Sequence, residues 1–248
     1  GRGFLDQWID HGSIEYGMHI MRGLWLLPTR RRLAKLQTFF KHAVEHGVRT
    51  PGVVLVQREE LAELRAQYDA LEMPENWKIL PTVADGFGDK HREVWGAVKD
   101  LDWVGIACDD LRPQTNGWDR ALLAKVNGQN IVTCNDGQQG DARMSGITVF
   151  SGAVLRTMGY CFPPDFWHTF VDDVWESIGR GANCWTYVPE VLITHDHPFV
   201  NKQIDPAKAD ETTYKSYAHM AEDQAAYAAW CQTERAAVIE RVRGLVAI

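Results

Sequence analysis

Four short apolar runs, separated by stretches of helical period, constrain this chain more than any other feature. They occupy residues 23–28 (Gly-Leu-Trp-Leu-Leu-Pro), 53–56 (Val-Val-Leu-Val), 77–80 (Trp-Lys-Ile-Leu) and 103–107 (Trp-Val-Gly-Ile-Ala). Between them apolar side chains recur at helical spacing: Leu33, Leu36, Phe40 and Val44, then Leu61, Leu64, Tyr68 and Leu71, then Val94, Trp95 and Val98. Runs this short mark buried strands, whereas a 3.6-residue period marks a helix with one apolar face. Thr29 is placed to cap the first helix, which Gly47 ends. Strand and helix in alternation imply right-handed crossovers and a mostly parallel sheet covered by helices on both faces. The predicted class is α/β and Rossmann-like, and 248 residues at 45% hydrophobic composition can bury one such domain.

The fourth run leads directly into Asp109 and Asp110, at the carboxyl end of a strand, where sheets of this class place their ligands. Adjacent carboxylates repel one another unless a cation lies between them. Hard oxygen ligands suit Mg²⁺ or Mn²⁺ that is also bound to phosphate oxygens. The pair therefore suggests a metal and a diphosphate. Alternatively Asp110 opens a turn through Arg112-Pro113 and Asp109 is solvated.

Beyond this point the alternation loosens. Gly117-Trp118 opens a helix, residues 130–133 form a strand, and residues 135–140 make a polar loop suited to lining a site. Residues 146–150 and a short helix ending at Gly159 lead to a second acidic pair, Asp172 and Asp173. These either supply a catalytic carboxylate or favour the start of a helix that Gly179 ends. After a strand at 188–194, His195 and His197 flank Asp196, as a hydrogen-bonded turn or as metal ligands. From Glu211 onward the chain is Ala-rich and helical, with Tyr214, Tyr217, Tyr227 and Trp230 as packing anchors and no chemistry. Residues 1–20 lack clear periodicity and are read as an N-terminal extension, with the domain start near Met18 or Met21. The domain then spans 21–205, followed by a C-terminal helical region at 206–248.

A formal charge of −7 gives no global attraction to nucleic acid or to an anionic membrane, and Arg30-Arg31-Arg32 is the one candidate basic patch. Five widely spaced cysteines without a C-x-x-C signal neither a disulfide framework nor a zinc site, which fits a reducing cytoplasm. No apolar run reaches membrane-spanning length.

In order, Leu-Pro-Thr-Arg (27–30), Gly-Phe-Gly-Asp-Lys (86–90), Asp-Asp-Leu-Arg-Pro (109–113) with Gly117-Trp118-Asp119, Val-Asp-Asp-Val-Trp (171–175) and His195-Asp-His-Pro198 resemble the GT-A fold glycosyltransferases of the family-two type. The likeness is to a compact cytoplasmic branch met in bacteriophages and bacteria, and covers residues 21–205. The resemblance implies metal-dependent transfer of a sugar from a nucleotide-diphosphate sugar to an acceptor hydroxyl. It makes Asp109 and Asp110 an Asp-x-Asp-type motif for Mn²⁺ or Mg²⁺ and the nucleotide ribose, although Cys108 stands where an acid or glycine is usual. It gives His195 a metal or diphosphate contact, with His197 nearby. Pro28, Thr29 and Arg30 would lie along the nucleotide and Lys90 near its base or phosphate. Asp172 or Asp173 matches the base that accompanies inversion. Gln57-Arg58, followed by Glu59, replaces the carboxylate that often reads uracil, so the nucleotide base is unassigned.

Other functions remain open on the residues alone. A sugar-nucleotide nucleotidyltransferase would want a glycine-rich loop after its first strand, and residues 27–32 contain no glycine. A metal-dependent phosphoesterase would need further His and Asp clusters. A non-catalytic nucleotide-sugar or DNA binder is the alternative from another class. As acceptor, a modified base in phage DNA stands beside a glycan, lipid or protein hydroxyl.

Overall fold

A computed structural model describes residues 13–16, 19–139, 141, 143–144, 146–197 and 210–247. Pro198, Gly140 and most of the predicted N-terminal extension lie outside these residues. The strands are β1 (Ser13–Tyr16), β2 (His19–Pro28), β3 (Gly52–Gln57), β4 (Trp77–Thr82), β5 (Trp103–Ile106), β6 (Leu111–Pro113), β7 (Ile131–Asn135), β8 (Thr148–Ser151) and β9 (Trp185–His195). The helices are α1 (Leu33–Glu45), α2 (Arg58–Glu63), α3 (Arg65–Asp69), α4 (Phe87–Val98), α5 (Trp118–Leu123), α6 (Gly152–Met158), α7 (Val171–Gly181), α8 (Glu211–Tyr217), α9 (Met220–Thr233) and α10 (Arg235–Val246).

The sheet runs β4-β3-β2-β5-β8-β7-β9-β6, with β1 paired to the start of β2. Strands β2 to β5 are mutually parallel. β8 then runs antiparallel to β5 and β7, β9 is parallel to β7, and β6 is antiparallel to β9. The α/β, Rossmann-like architecture with C-terminal helices is the one the sequence predicts.

Alternation along β2 sends its side chains to two cores. Leu24 and Leu26 join Val53 and Leu55 under α4, α6, α7 and α10, while Trp25 and Leu27 join Val54 and Val56 under α1, α3 and α5. Burial on both faces explains why these strands read as continuous apolar runs. Within the second core, β2 and β5 exchange indoles for glycines: Trp25 lies opposite Gly105 and Trp103 opposite Gly23. A Cβ on Gly105 would come within 2.1 Å of the Trp25 ring, and one on Gly23 within 2.4 Å of Trp103.

Some local expectations are corrected. Thr29 caps no helix: α1 starts at Leu33 after Arg32, and the Thr29 hydroxyl is used elsewhere. Val44 is exposed, and Phe39 takes its place in the core. The predicted second helix is two short ones, broken at Leu64 (φ −106°, ψ 20°). Buried Glu60 accepts the Tyr68 hydroxyl at 2.5 Å and the Arg31 amide at 2.6 Å, tying both pieces to the loop after β2. β2 begins at His19 and pairs with β1, so part of the stretch before Met21 is strand. Among the described residues no helix is long and apolar enough to cross a membrane. All five cysteines are free thiols.

Candidate active site

A cleft of about 780 Å³ opens where β2 and β5 end. Pro28 closes β2, with Thr29 and Arg30 just beyond it, and Asp109 and Asp110 follow β5 on the neighbouring strand. The chain then turns into β6, whose antiparallel register with β9 sets His195 opposite Leu111. This pairing delivers His195 to the aspartates: its Nε2 lies 3.1 Å from Asp110 Oδ1, and the Asp196 amide donates to the Asp110 carbonyl at 2.8 Å. The Arg112 guanidinium donates to the carbonyls of Asp109 and Leu111, which fixes the loop from beneath. Gly146 lets the backbone approach the imidazole, since a Cβ there would lie 3.1 Å from the His195 ring.

Asp109 and Asp110 are both 2% exposed, so the solvated alternative for Asp109 fails. Their repulsion is offset by Arg32, which donates Nη1 to Asp109 at 2.7 Å and Nη2 to Asp110 at 2.8 Å. The Thr29 hydroxyl donates to the other Asp109 oxygen at 2.7 Å. Burial pushes the Asp109 carboxyl up to about 6 against the pull of Arg32, with Asp110 adding to the rise. Burial opposes charge on Asp110 as well, but His195 and Arg32 hold it well below the usual carboxylate range. Asp110 therefore holds its charge to lower pH than Asp109.

Whether a divalent cation suits this place depends on the donor atoms. Among the described residues no three His, Cys, Asp or Glu side chains gather into a closed cage. Asp110 Oδ1 and His195 Nε2, at 3.1 Å, nevertheless have the spacing of adjacent ligands on an octahedral ion. Bonds of about 2.1 Å at right angles put such atoms about 3 Å apart. Asp110 and His195 would hold a Mg²⁺- or Mn²⁺-like ion, which would offset charge on a bound diphosphate. Asp109 has both oxygens engaged by Thr29 and Arg32.

The second acidic pair occupies the first turn of α7 and lines the same cleft. Phe170, in the left-handed region at φ 62°, turns the chain into this helix. Asp173 is ion-paired with Arg143. Asp172 has no side-chain partner among the described residues and meets backbone amides at the helix start. Burial, followed by the charge of Asp173, raises the Asp172 carboxyl above its ordinary value. The Asp173 carboxyl is also raised by burial, against Arg143.

All the residues singled out from sequence, Pro28, Thr29, Arg30, Lys90, Asp109, Asp110, Asp172, Asp173 and His195, border this one cleft. Lys90 is almost fully buried and donates to the Thr29 carbonyl at 2.6 Å, supporting the floor. Arg30 pairs with Asp85 at 2.6 Å. His197 also lines the wall, where burial lowers its imidazole to about 4.

Sequence reasoning missed several participants. Arg32 is not part of an open basic patch: Arg30, Arg31 and Arg32 pair respectively with Asp85, Glu63 and the two aspartates, so the cluster is internally neutralised. The C-terminal helices reach the cleft. Asp210 caps α8 and meets Arg32 Nε at 3.1 Å, while Tyr217, His219 and Met220 line the cleft. Tyr214 is exposed rather than an anchor, whereas Trp230 is buried as expected. The legible signal for Asp210 was its position just before the Ala-rich helix, an N-cap pattern.

No protein-family profile matches the chain, and no curated protein matches it by sequence. Solved structures do match. The mannosyltransferase PcManGT from Pyrobaculum calidifontis, in complex with GDP-Man and Mn²⁺, superposes with a TM-score of 0.55 at 12% identity, over 100% of this chain and 87% of that one. GalNAc-T7 with UDP, GalNAc and Mn²⁺ gives 0.54 at 10% identity, over 73% and 44% of the two chains. Glucosyl-3-phosphoglycerate synthase from Mycobacterium tuberculosis, in complex with Mn²⁺, UDP and phosphoglyceric acid, gives 0.50 at 14%, over 79% and 75%. The fold is GT-A. Identities this low carry the architecture and leave the chemistry to the site itself. In this GT-A chain the cleft at the ends of β2 and β5 is completed by α7, β9 and the C-terminal helices.

Proposed function

We propose that this protein is a glycosyltransferase of the family-two type. It moves a sugar from a nucleotide-diphosphate sugar to an acceptor hydroxyl with inversion at the anomeric carbon. The observation that carries this reading is the meeting, in one cleft, of the Asp110–His195 pair with the raised carboxyl of Asp172, which has no side-chain hydrogen bond among the described residues. Asp110 and His195 would hold Mn²⁺ or Mg²⁺, which when bound supplies positive charge against the departing diphosphate. Asp109, fixed by Thr29 and Arg32, meets the nucleotide ribose. Pro28, Thr29 and Arg30 flank the nucleotide, and Lys90 holds the strand end that carries them.

Asp172 accepts the proton of the acceptor hydroxyl as its oxygen bonds to the anomeric carbon. The bond from that carbon to the diphosphate oxygen breaks, and its electron pair leaves with the nucleotide. A carboxyl raised by burial is a better base than a solvated one, and general-base assistance is worth about a hundred to ten-thousandfold. Asp173, tied to Arg143, holds the helix start in place.

The internal pairing of residues 30–32 removes the basic patch that a DNA acceptor would want and favours a glycan, lipid or protein hydroxyl. Five free thiols support a cytoplasmic setting. One observation favours a second reading: Arg32 already neutralises both aspartates, as in a cation-independent nucleotide-sugar binder. A panel of sugar nucleotides, assayed for nucleoside-diphosphate release with Mn²⁺ and with chelator, separates the two. Metal-dependent release is expected; binding that ignores chelator, without release, sinks the first reading.

A further inference from the structure

Trp25, Trp77, Trp103, Trp118, Trp175 and Trp230 are buried, whereas Trp167 is 45% exposed at the rim of the cleft. One indole face lies on the imidazole of His219, with centroids 4.4 Å apart and planes 15° from parallel. The accessible area is therefore on the remaining face and edges. Met220, also 45% exposed, stands beside His219 on the same rim. Leaving an indole in water forgoes burial worth a few kcal/mol, at about 25 cal/mol per Å².

The backbone that presents this ring is held with unusual thoroughness. Asp223, fully buried on α9, accepts the amides of Trp167 at 2.6 Å, His168 at 3.0 Å and Thr169 at 2.6 Å, together with the Thr169 hydroxyl at 2.9 Å. From the other side the Gly88 amide donates to the Trp167 carbonyl at 3.1 Å, and Arg92 donates to the carbonyls of Pro163 and Phe166. A Cβ on Gly88 would lie 2.8 Å from the Phe166 carbonyl oxygen, so this close approach requires glycine. A buried carboxylate spent on three successive amides preorganises the segment at the C-terminal side of which Asp172 stands.

We propose that Trp167 is a stacking platform for an uncharged pyranose, and that the acceptor is accordingly a neutral glycan whose hydroxyl is offered to Asp172. This rests on the glycosyltransferase reading and names its acceptor class. The electron-rich indole face suits the polarised C–H groups of a sugar ring. Charge points the same way. Asp172 and Asp173 line this wall, Arg143 is paired with Asp173, and the cleft-lining Lys215 is paired with Glu211. A polyanion would meet net repulsion here. Asp223 is a positioning residue, acting through the 167–169 backbone.

The test is saturation-transfer NMR on the full chain with neutral disaccharides and, separately, a short DNA duplex, with and without UDP or GDP and Mn²⁺. At least one neutral disaccharide should receive saturation, strongest on the ring protons of one face. Trp167→Ala should abolish the transfer and Trp167→Phe should keep most of it. Asp223→Ala should weaken it at least threefold in a protein that still melts cooperatively, with partial rescue by Asp223→Asn. No transfer to any disaccharide, undiminished transfer in Trp167→Ala, or Trp167-dependent binding of the duplex would each overturn the proposal. Because binding is read without turnover, the two failures are distinct. Disaccharide binding without donor cleavage contradicts the transferase reading alone, and metal-dependent donor cleavage without disaccharide binding contradicts the platform alone.

Discussion

Asp110 Oδ1 lies 3.1 Å from His195 Nε2, although 85 residues separate the two in the chain. The contact is made by backbone register: β6 pairs with β9, which sets His195, the last residue of β9, beside Asp110, the residue just before β6. Asp110→Ala or His195→Ala should weaken nucleoside-diphosphate binding in Mn²⁺ by about tenfold or more. Even outer-sphere partners of a metal site are worth about 10–100-fold, and in the proposed site these two residues would touch the ion itself. Titration calorimetry in Mn²⁺ and in chelator checks this, and unchanged affinity in both variants would refute it.

Asp172→Asn should reduce transfer about a hundredfold or more while leaving nucleotide affinity near that of the parent. Asp173→Asn should cost less, because Asp173 already serves Arg143. If the pair only favours the helix start, Asn at either place changes stability by about 1 kcal/mol or less and transfer stays near normal. Melting temperature, affinity and rate on both variants decide between these outcomes.

The raised Asp172 carboxyl also sets a pH limit. A base must be unprotonated to act, so kcat/KM should fall as pH drops through its raised value, above the ordinary 3.8 of an aspartate. Asp172→Asn should remove that acid limb. A limb that persists unchanged in the variant belongs to another group.

The alternating core was legible because strands buried on both faces leave continuous apolar runs, and Asp109 and Asp110 stood out at the end of one such run. Arg32 was not legible. Its charge looked like surface, and only the fold shows a guanidinium 13% exposed between two carboxylates. Asp223 was hidden for a related reason: in sequence it is one more acid in a helix first turn, and its partners are backbone amides more than fifty residues away. Thr29 misled because a hydroxyl before an amphipathic helix matches a cap pattern, yet α1 starts only at Leu33 after Arg32, and the Thr29 hydroxyl donates to Asp109.

Packing across β2 and β5 yields a stability prediction. Gly105→Ala places a Cβ against a Trp25 ring already hemmed in by Trp103 and Trp118. Overpacking of this kind costs about 1–3 kcal/mol. Gly96→Ala is the control, since nothing lies within 4 Å of its Cβ, and it should stabilise α4 by up to about 1 kcal/mol. Denaturant unfolding of both variants checks the contrast, and equal stabilities would contradict the packing described here.

His91 gives the fold an acid sensitivity of its own. It is fully buried, its Nδ1 donates to the Phe87 carbonyl at 2.8 Å, and its Nε2 has no hydrogen-bond partner among the described residues. Burial lowers the imidazole from 6.5 to about 4. With a depressed folded value, its contribution is complete above pH 6.5 and is lost as pH falls toward 4. The loss amounts to about 3 kcal/mol at about 1.36 kcal/mol per unit. His91→Phe should flatten this part of the stability–pH curve, and an unchanged slope would assign the sensitivity elsewhere.

In the proposed transferase Asp110 and His195 together hold the cation that accompanies the donor diphosphate. Pulsed electron paramagnetic resonance on the Mn²⁺–nucleotide complex reads it most directly, because a coordinated imidazole nitrogen modulates the Mn²⁺ echo. Nitrogen modulation is expected in the parent protein and should disappear in His195→Ala. Bound Mn²⁺ without nitrogen modulation, or modulation that survives in His195→Ala, would contradict it.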